Sequence, residues 1–226
     1  MSKHPSLLPS SAEFTRTRVT GNREIAKNVF LLSLEKHFDF EPGQVVGIHT
    51  EPREDARLYS LAGGRDEPVI RILFNVFQQG ELTPLLAKCR EGDFLHVTSP
   101  FGWFTCNREP AWWIASGTGI APFASMFFSG LGDKKILVHG GRNEESFYFS
   151  REFAGGMGDR YVRCCSGEKI GGLFHGRLTS YLENIDVLPA DQTYYLCGRV
   201  EMVVEVRDIL LKRGIPYHNI LSEIYF

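Results

Sequence analysis

In the first half of this 226-residue chain, apolar and polar positions change over at short intervals. Runs at residues 29–34, 44–49, 69–74 and 94–97 are rich in Val, Ile, Leu and Phe and are bounded by Gly, Pro or Asp. Such runs read as β-strands, and with one helical stretch near 84–89 their spacing predicts a small antiparallel barrel. After Asn107-Arg108-Glu109-Pro110 the pattern lengthens. Strand-like runs at 112–115, 136–139, 161–164 and 193–197 alternate with helical stretches near 121–130, 176–183 and 200–213, the last with an apolar face of Val203, Val206, Leu210 and Leu211. Strand–helix alternation predicts a parallel sheet covered on both faces. The expected fold is two-domain, an antiparallel β-barrel over 1–107 followed by an α/β parallel-sheet domain over 108–226.

Composition narrows the classes without choosing among them. At 43% hydrophobic residues the chain can bury a sizeable core, and a formal net charge of −2 gives no basic excess for nucleic acid. No apolar run approaches a bilayer's thickness and the start lacks the apolar stretch of a signal peptide, so a cytoplasmic protein is expected, with no membrane contact. Five cysteines at 89, 106, 164, 165 and 197 fit neither a disulfide framework, a plant-type iron–sulfur run nor a zinc site. No metal is expected, and any iron–sulfur centre would have to belong to another chain. Cys164-Cys165, approached by Tyr161-Val162, reads as strand filler.

Three stretches carry candidate chemistry. Trp112-Trp-Ile-Ala-Ser-Gly117-Thr118-Gly119-Ile-Ala-Pro122 runs from a hydrophobic strand through two glycines into a helix with proline in its first turn. Glycines let a dinucleotide's phosphates approach the backbone, and a helix start supplies N–H donors. Proline stands where the common G-x-G-x-x-G fingerprint has its last glycine. Arg57-Leu58-Tyr59-Ser60 joins a planar fork of donors, suited to a diphosphate, to a flat ring face. Gly80-Glu-Leu82-Thr83-Pro84 reads as a helix start with Thr83 as N-cap, its N–H groups directed at an anion. Each stretch alone is also compatible with plain packing.

Taken in order, Arg57-x-Tyr59-Ser60, Gly80-x-x-Thr83, Gly92-Asp93 with Pro100-Phe-Gly102-x-Phe104, Gly117-Thr-Gly119-Ile-Ala-Pro122, Cys197-Gly198 and the closing Glu223-Ile-Tyr225-Phe226 resemble the ferredoxin–NADP reductase superfamily. The tail is most similar to that of bacterial-type ferredoxin/flavodoxin–NADP reductases. The resemblance runs from about Phe14 onward. It implies six strands in the barrel, with FAD bound there and NADP(H) bound in the second domain. It assigns Arg57, Leu82 and Thr83 to the FAD pyrophosphate, Tyr59 to one isoalloxazine face and Ser60 to flavin N5, with Leu58 and Gly80 in the same cofactor-binding stretches. Cys197 and Glu223 would line the nicotinamide pocket, with Gly117, Thr118 and Gly119 under the phosphates. Tyr225 would cover the opposite flavin face; Phe226 in its place, or packed on adenine, stays open. The catalytic set implied is Ser60, Cys197, Glu223 and Tyr225.

A 2′-phosphate separates NADPH from NADH and calls for cations. Arg142 and Arg177 stand at positions the family associates with that phosphate, whereas a third such position falls at Ser166-Gly167, with Lys169 two residues on. NADPH is therefore the favoured nucleotide. Arg16, Arg18, Arg23 and Lys27 suggest charge steering of an acidic ferredoxin or flavodoxin, a transient partner to a monomeric reductase. Two other readings stay open. One is an NAD(P)H-dependent flavin or quinone reductase or oxygenase reductase component, the other a non-catalytic FAD-binding electron-transfer or regulatory subunit.

Overall fold

The computed structural model describes residues 8–9, 12–51 and 56–225, with only the backbone of Tyr225. Two compact units meet between Thr105 and Cys106.

The first unit is an antiparallel barrel. Its strands are β1 (Phe14–Ala26), β2 (Val29–Glu35), β3 (Val45–His49), β4 (Arg57–Ser60), β5 (Val69–Asn75) and β6 (Phe94–Thr98). They pair in the order β4-β3-β6-β1-β2-β5. An antiparallel bridge between Leu61 and Ile72 brings the two ends together, and the Ala62 amide donates to Arg71 O at 2.8 Å beside it. Closure removes the exposed edges an open sheet would present. Inside lie Val19, Leu32, Leu34, Val46, Ile48, Ile70, Ile72, Leu95 and Val97, one residue in two along each strand.

The long first strand escapes a reading of apolar runs. Thr17 and Val19 point inward, 2% and 0% exposed, while Arg16 and Arg18 alternate with them on the outside. Its register is held by polar means: Asn22 Nδ2 donates to Leu86 O at 2.8 Å and Cys89 O at 3.1 Å. This ties β1 to the short helix α1 (Thr83–Leu86), whose Leu86, with the preceding Leu82, is buried in the barrel core.

The second unit is a parallel sheet. Its strands are β7 (Ala111–Ser116), β8 (Lys135–Gly141), β9 (Tyr161–Cys165), β10 (Phe174–His175), β11 (Thr193–Arg199) and β12 (Ile220–Tyr225), in the order β10-β9-β8-β7-β11-β12. The helices are α2 (Ala121–Met126), α3 (Ser150–Met157), α4 (Leu178–Asn184) and α5 (Val200–Lys212). Strand alternation divides the apolar residues between two layers. Trp112, Ile114, Val138, Tyr194 and Leu196 pack with Leu178 and Leu182 of α4 and with Met202, Val203, Val206, Ile209 and Leu210 of α5. Leu211, expected on that face, is instead 40% exposed, because its neighbours Ile209 and Leu210 already fill the contact.

The opposite layer is aromatic. Trp113 stacks on Phe123, while Phe153 meets both Phe127 and Tyr161. His139, fully buried, sits edge-on to Phe147 with its Nδ1 at 3.1 Å from the Tyr161 hydroxyl. Burial away from water pushes its pKa down to about 3, with the Arg163 charge adding to the effect. Cys164 and Cys165 are fully buried strand residues, and burial pushes the Cys164 thiol up to about 12. At the sheet's other end the buried Lys135 ammonium donates to the carbonyls of Asn107 and Glu109. Among the described residues no helix is long and apolar enough to cross a membrane, and no group of His, Cys, Asp or Glu is arranged to hold a metal ion.

Candidate functional site

The parallel sheet fixes where a ligand can sit. From β7 the chain moves through β8 and β9 to β10 on one side, then returns to place β11 and β12 on the other. The reversal lies between β7 and β11, and the crevice beyond the carboxyl ends of such strands is where this architecture binds ligands. The chain leaves β7 through Gly117-Thr118-Gly119, and Cys197-Gly198 lie near the carboxyl end of β11.

These segments approach each other backbone to backbone. A Cβ on Gly119 would lie 2.4 Å from Cys197 O and 2.6 Å from Gly198 Cα. One on Gly198, whose φ is +150°, would lie 2.5 Å from Ser116 Oγ and 2.7 Å from Met202 Cε. Gly117 differs: its φ of +56° is left-handed, and a Cβ there would meet nothing within 4 Å. One glycine thus permits close packing and the other keeps open space above the turn. The chain then enters a 3₁₀ turn (Gly117–Ile120) and α2, with Pro122 in the first turn as anticipated. Beyond α2 come a π turn (Phe127–Leu131) and a kink at left-handed Gly130.

Strand register brings the two residues expected at a nicotinamide together. Ala115, Cys197 and Glu223 stand abreast across β7, β11 and β12. Cys197 is fully buried and Glu223 partly so. Arg199 pairs in register with the backbone of Tyr225, and its charge acts on the half-buried Tyr148 hydroxyl, whose pKa burial raises. The side chain of Tyr225 and all of Phe226 lie outside the described residues, as does any role for them as a flavin cover.

A second row crosses β8, β9 and β10 at Gly141, Cys165 and His175. Arg142 follows the first, Ser166-Gly167 the second and Gly176-Arg177 the third, so both expected arginines leave the same edge of the sheet. Both are exposed. The first two exits are zipped together: Ser166 N donates to Gly141 O at 3.0 Å and Gly167 N to Arg142 O at 2.8 Å. A Cβ on Gly167 would sit 2.4 Å from Arg142 O and 2.9 Å from Arg142 Cγ. The glycine standing where an arginine was sought therefore makes room for Arg142 itself. Arg177 precedes α4 and is ion-paired with Glu205 of α5 at 2.5 Å. Arg199 and Glu205 carry no signal in the sequence, whereas Gly167 shows there as an interruption of the expected arginine pattern.

In the barrel unit, β4 holds Arg57, Leu58, Tyr59 and Ser60 opposite Ile48, Gly47, Val46 and Val45 of β3. Alternation sets Arg57 and Tyr59 on one face. Arg57 is exposed, Ser60 is 2% exposed, and the partly buried Tyr59 ring lies edge-on to Phe74. Burial raises the Tyr59 hydroxyl's pKa, so the ring stays neutral. One expectation is corrected here. Thr83 is not the N-cap of α1; Leu82 holds that position without a side-chain cap bond. The Thr83 hydroxyl instead accepts from the Phe77 amide at 2.9 Å, closing the Phe77–Gly80 turn in which Gly80 N donates to Phe77 O at 2.9 Å. The turn outcompetes the cap because it satisfies a backbone amide that the helix does not need.

Comparison with known proteins adds to this geometry. Residues 113–208 match the oxidoreductase NAD-binding domain family. The propane 2-monooxygenase reductase component of Rhodococcus jostii is 26% identical over 92% of this chain, which spans 62% of that protein's length. The flavodoxin/ferredoxin–NADP reductase of Escherichia coli is 26% identical, with 76% of this chain and 81% of that protein aligned. A crystal structure of a ferredoxin NADP⁺ reductase from Neisseria gonorrhoeae, with bound FAD and NADP, superposes with a TM-score of 0.86 at 20% identity, covering 96% of this chain and all of that one. A closed antiparallel barrel, a parallel sheet with its switch point beside Gly119 and Gly198, and the oxidoreductase NAD-binding domain match at 113–208 give this chain the fold of the ferredoxin–NADP reductases it is similar to.

Proposed function

We propose that this chain is an FAD-dependent oxidoreductase that transfers electrons between NADP(H) and a separate one-electron protein, a ferredoxin or flavodoxin. The observation that carries the reading is the switch point, where Gly119 and Cys197-Gly198 meet with no room for a Cβ and open space lies above Gly117. That cradle suits a dinucleotide, whose phosphates need bare backbone at close range.

In the barrel, Arg57 and the Leu82–Thr83 backbone would hold the FAD pyrophosphate, with Gly80 shaping the turn before them. Leu58 pairs with Gly47 of β3, Tyr59 would offer its neutral ring to the isoalloxazine, and Ser60 would hydrogen-bond near flavin N5. The donor set fits: an exposed guanidinium and a flat, half-buried aromatic ring share one strand face. Bound FAD supplies the exchange between two-electron nicotinamide chemistry and one-electron carriers.

In the second unit, Gly117, Thr118 and Gly119 would lie under the nucleotide's phosphates and Arg142 and Arg177 would meet the 2′-phosphate. Cys197 and Glu223, abreast in the sheet, would orient the nicotinamide. No strong acid or base is required, since the protein's task is close and correct stacking in a water-poor site. The full burial of Cys197 suits that task.

A second reading, a reductase serving an oxygenase, is favoured by the similarity to the propane 2-monooxygenase reductase component over 92% of the chain. Acceptor turnover tests the proposal. With NADPH as donor, the proposal expects ferredoxin or flavodoxin to be reduced faster than free flavin. Fast reduction of free flavin, with no activity toward either carrier, would refute it.

A further inference from the structure

The two arginines at the sheet edge do not stand in equivalent surroundings. Arg142 is held by its backbone: its carbonyl accepts from Gly167 N at 2.8 Å and from Cys165 Sγ at 3.4 Å, over a glycine that leaves room for its stem. Arg177 is held by its head group, which donates from Nη2 to Glu205 Oε2 at 2.5 Å. Arg177 belongs to the start of α4 and Glu205 to α5, which pack together over one face of the sheet. The side chains are 61% and 38% exposed, so the pair sits at the rim rather than in the core.

A guanidinium carries five N–H donors in one plane, and a carboxylate already held at Nη2 competes there with an arriving phosphate for both donor and charge. We propose that Glu205 is a selectivity-determining residue: its carboxylate holds the Arg177 Nη2 group that a nucleotide 2′-phosphate would use, lowering the preference for NADP(H) over NAD(H). The inference rests on the reading that Arg177 faces the 2′-phosphate. A phosphate arriving there must displace Glu205 and then remain near its negative charge. A ribose bearing a free 2′-hydroxyl meets neither penalty. Exposure and salt limit the size of the effect, and an ion pair this accessible is worth roughly a two- to fivefold change in affinity.

The test is a calorimetric titration of the FAD-loaded full chain with NADP⁺ and with NAD⁺, for wild type, Glu205→Gln, Arg177→Ala and the double variant. Glu205→Gln keeps the side chain's size and removes its charge. The expected result is a roughly two- to fivefold rise in the NADP⁺-over-NAD⁺ affinity ratio, shrinking at high salt and absent when Arg177 is already alanine. If Arg177→Ala lowers the ratio but Glu205→Gln leaves it unchanged, the proposal is overturned while the 2′-phosphate reading stands. If Arg177→Ala itself leaves the ratio unchanged, that reading fails and the proposal falls with it.

Discussion

Replacing Gly119 with alanine tests the switch point at the cost of a single methyl group. The new Cβ would lie 2.4 Å from Cys197 O and 2.6 Å from both Cys197 C and Gly198 Cα, all backbone atoms with no rotamer to yield. Reaching an ordinary contact of 3.4 Å requires the two turns to separate by about 1 Å. Overpacking of this kind costs about 1–3 kcal/mol, which corresponds to a fall in Tm of roughly 2–12 °C for a chain of this size. The functional effect is larger in proportion, because a displacement of about 1 Å at a reacting centre lowers a rate about 10²-fold. Gly155→Ala serves as the control. It lies within α3 with nothing within 4 Å of its Cβ, so it is expected to stabilise by about 0.5–1 kcal/mol and leave nucleotide reduction alone. Thermal denaturation and single-turnover reduction by NADPH read both effects. A Gly119→Ala protein with the melting temperature and reduction rate of wild type would show that the turns are not in the contact described.

Three other outcomes are expected. Arg57→Ala should purify with little FAD, and full flavin occupancy by absorbance would remove Arg57 from the pyrophosphate site. His139 should make the protein acid-sensitive: with a folded pKa of about 3 against 6.5 for the free side chain, only the unfolded chain takes up its proton between those values. Its stability contribution is complete above pH 6.5 and declines as pH falls toward 3, by at most about 1.4 kcal/mol per pH unit. Denaturant titrations of His139→Gln at pH 7, 6 and 5 should show a shallower decline than wild type; equal slopes would contradict the assignment. Finally, Arg16 and Arg18 face outward from β1, with the Arg16 guanidinium 3.5 Å from the centre of the Phe94 ring. Arg16→Glu with Arg18→Glu should slow reduction of an acidic carrier at low salt, and an unchanged rate would place docking elsewhere.

The parts of the fold visible in the chain were those in which one physical signal dominates. Trp112 to Pro122 announces a buried strand, a turn and a helix start, because β-rich apolar residues, glycines and proline each allow little else. The strand β1 is hard to see in the sequence because only Thr17 and Val19 of its thirteen residues are buried and one of those is polar, so apolar content underreports it. The helix α3 was missed for a similar reason: only Phe153 and Met157 of its eight residues are buried. Thr83 was misassigned because a cap and a turn hydroxyl look alike in sequence, and only the fold shows that the Phe77 amide is within reach. The pairing of Arg177 with Glu205 spans 28 residues and depends on how α4 packs against α5, which no local pattern encodes. Cys197 and Glu223 were legible as a pair only by resemblance; the register that sets them abreast belongs to the sheet.

The central claim is that a flavin and a nicotinamide nucleotide exchange electrons on this chain. Anaerobic stopped-flow mixing of the FAD-loaded protein with NADPH, and separately with NADH, tests it most directly at the oxidised flavin band. The account predicts rapid bleaching by NADPH, slower bleaching by NADH, and return of the band when an oxidised ferredoxin or flavodoxin is added. A flavin band unchanged by either nucleotide would contradict it and leave a flavin-binding protein without nicotinamide chemistry.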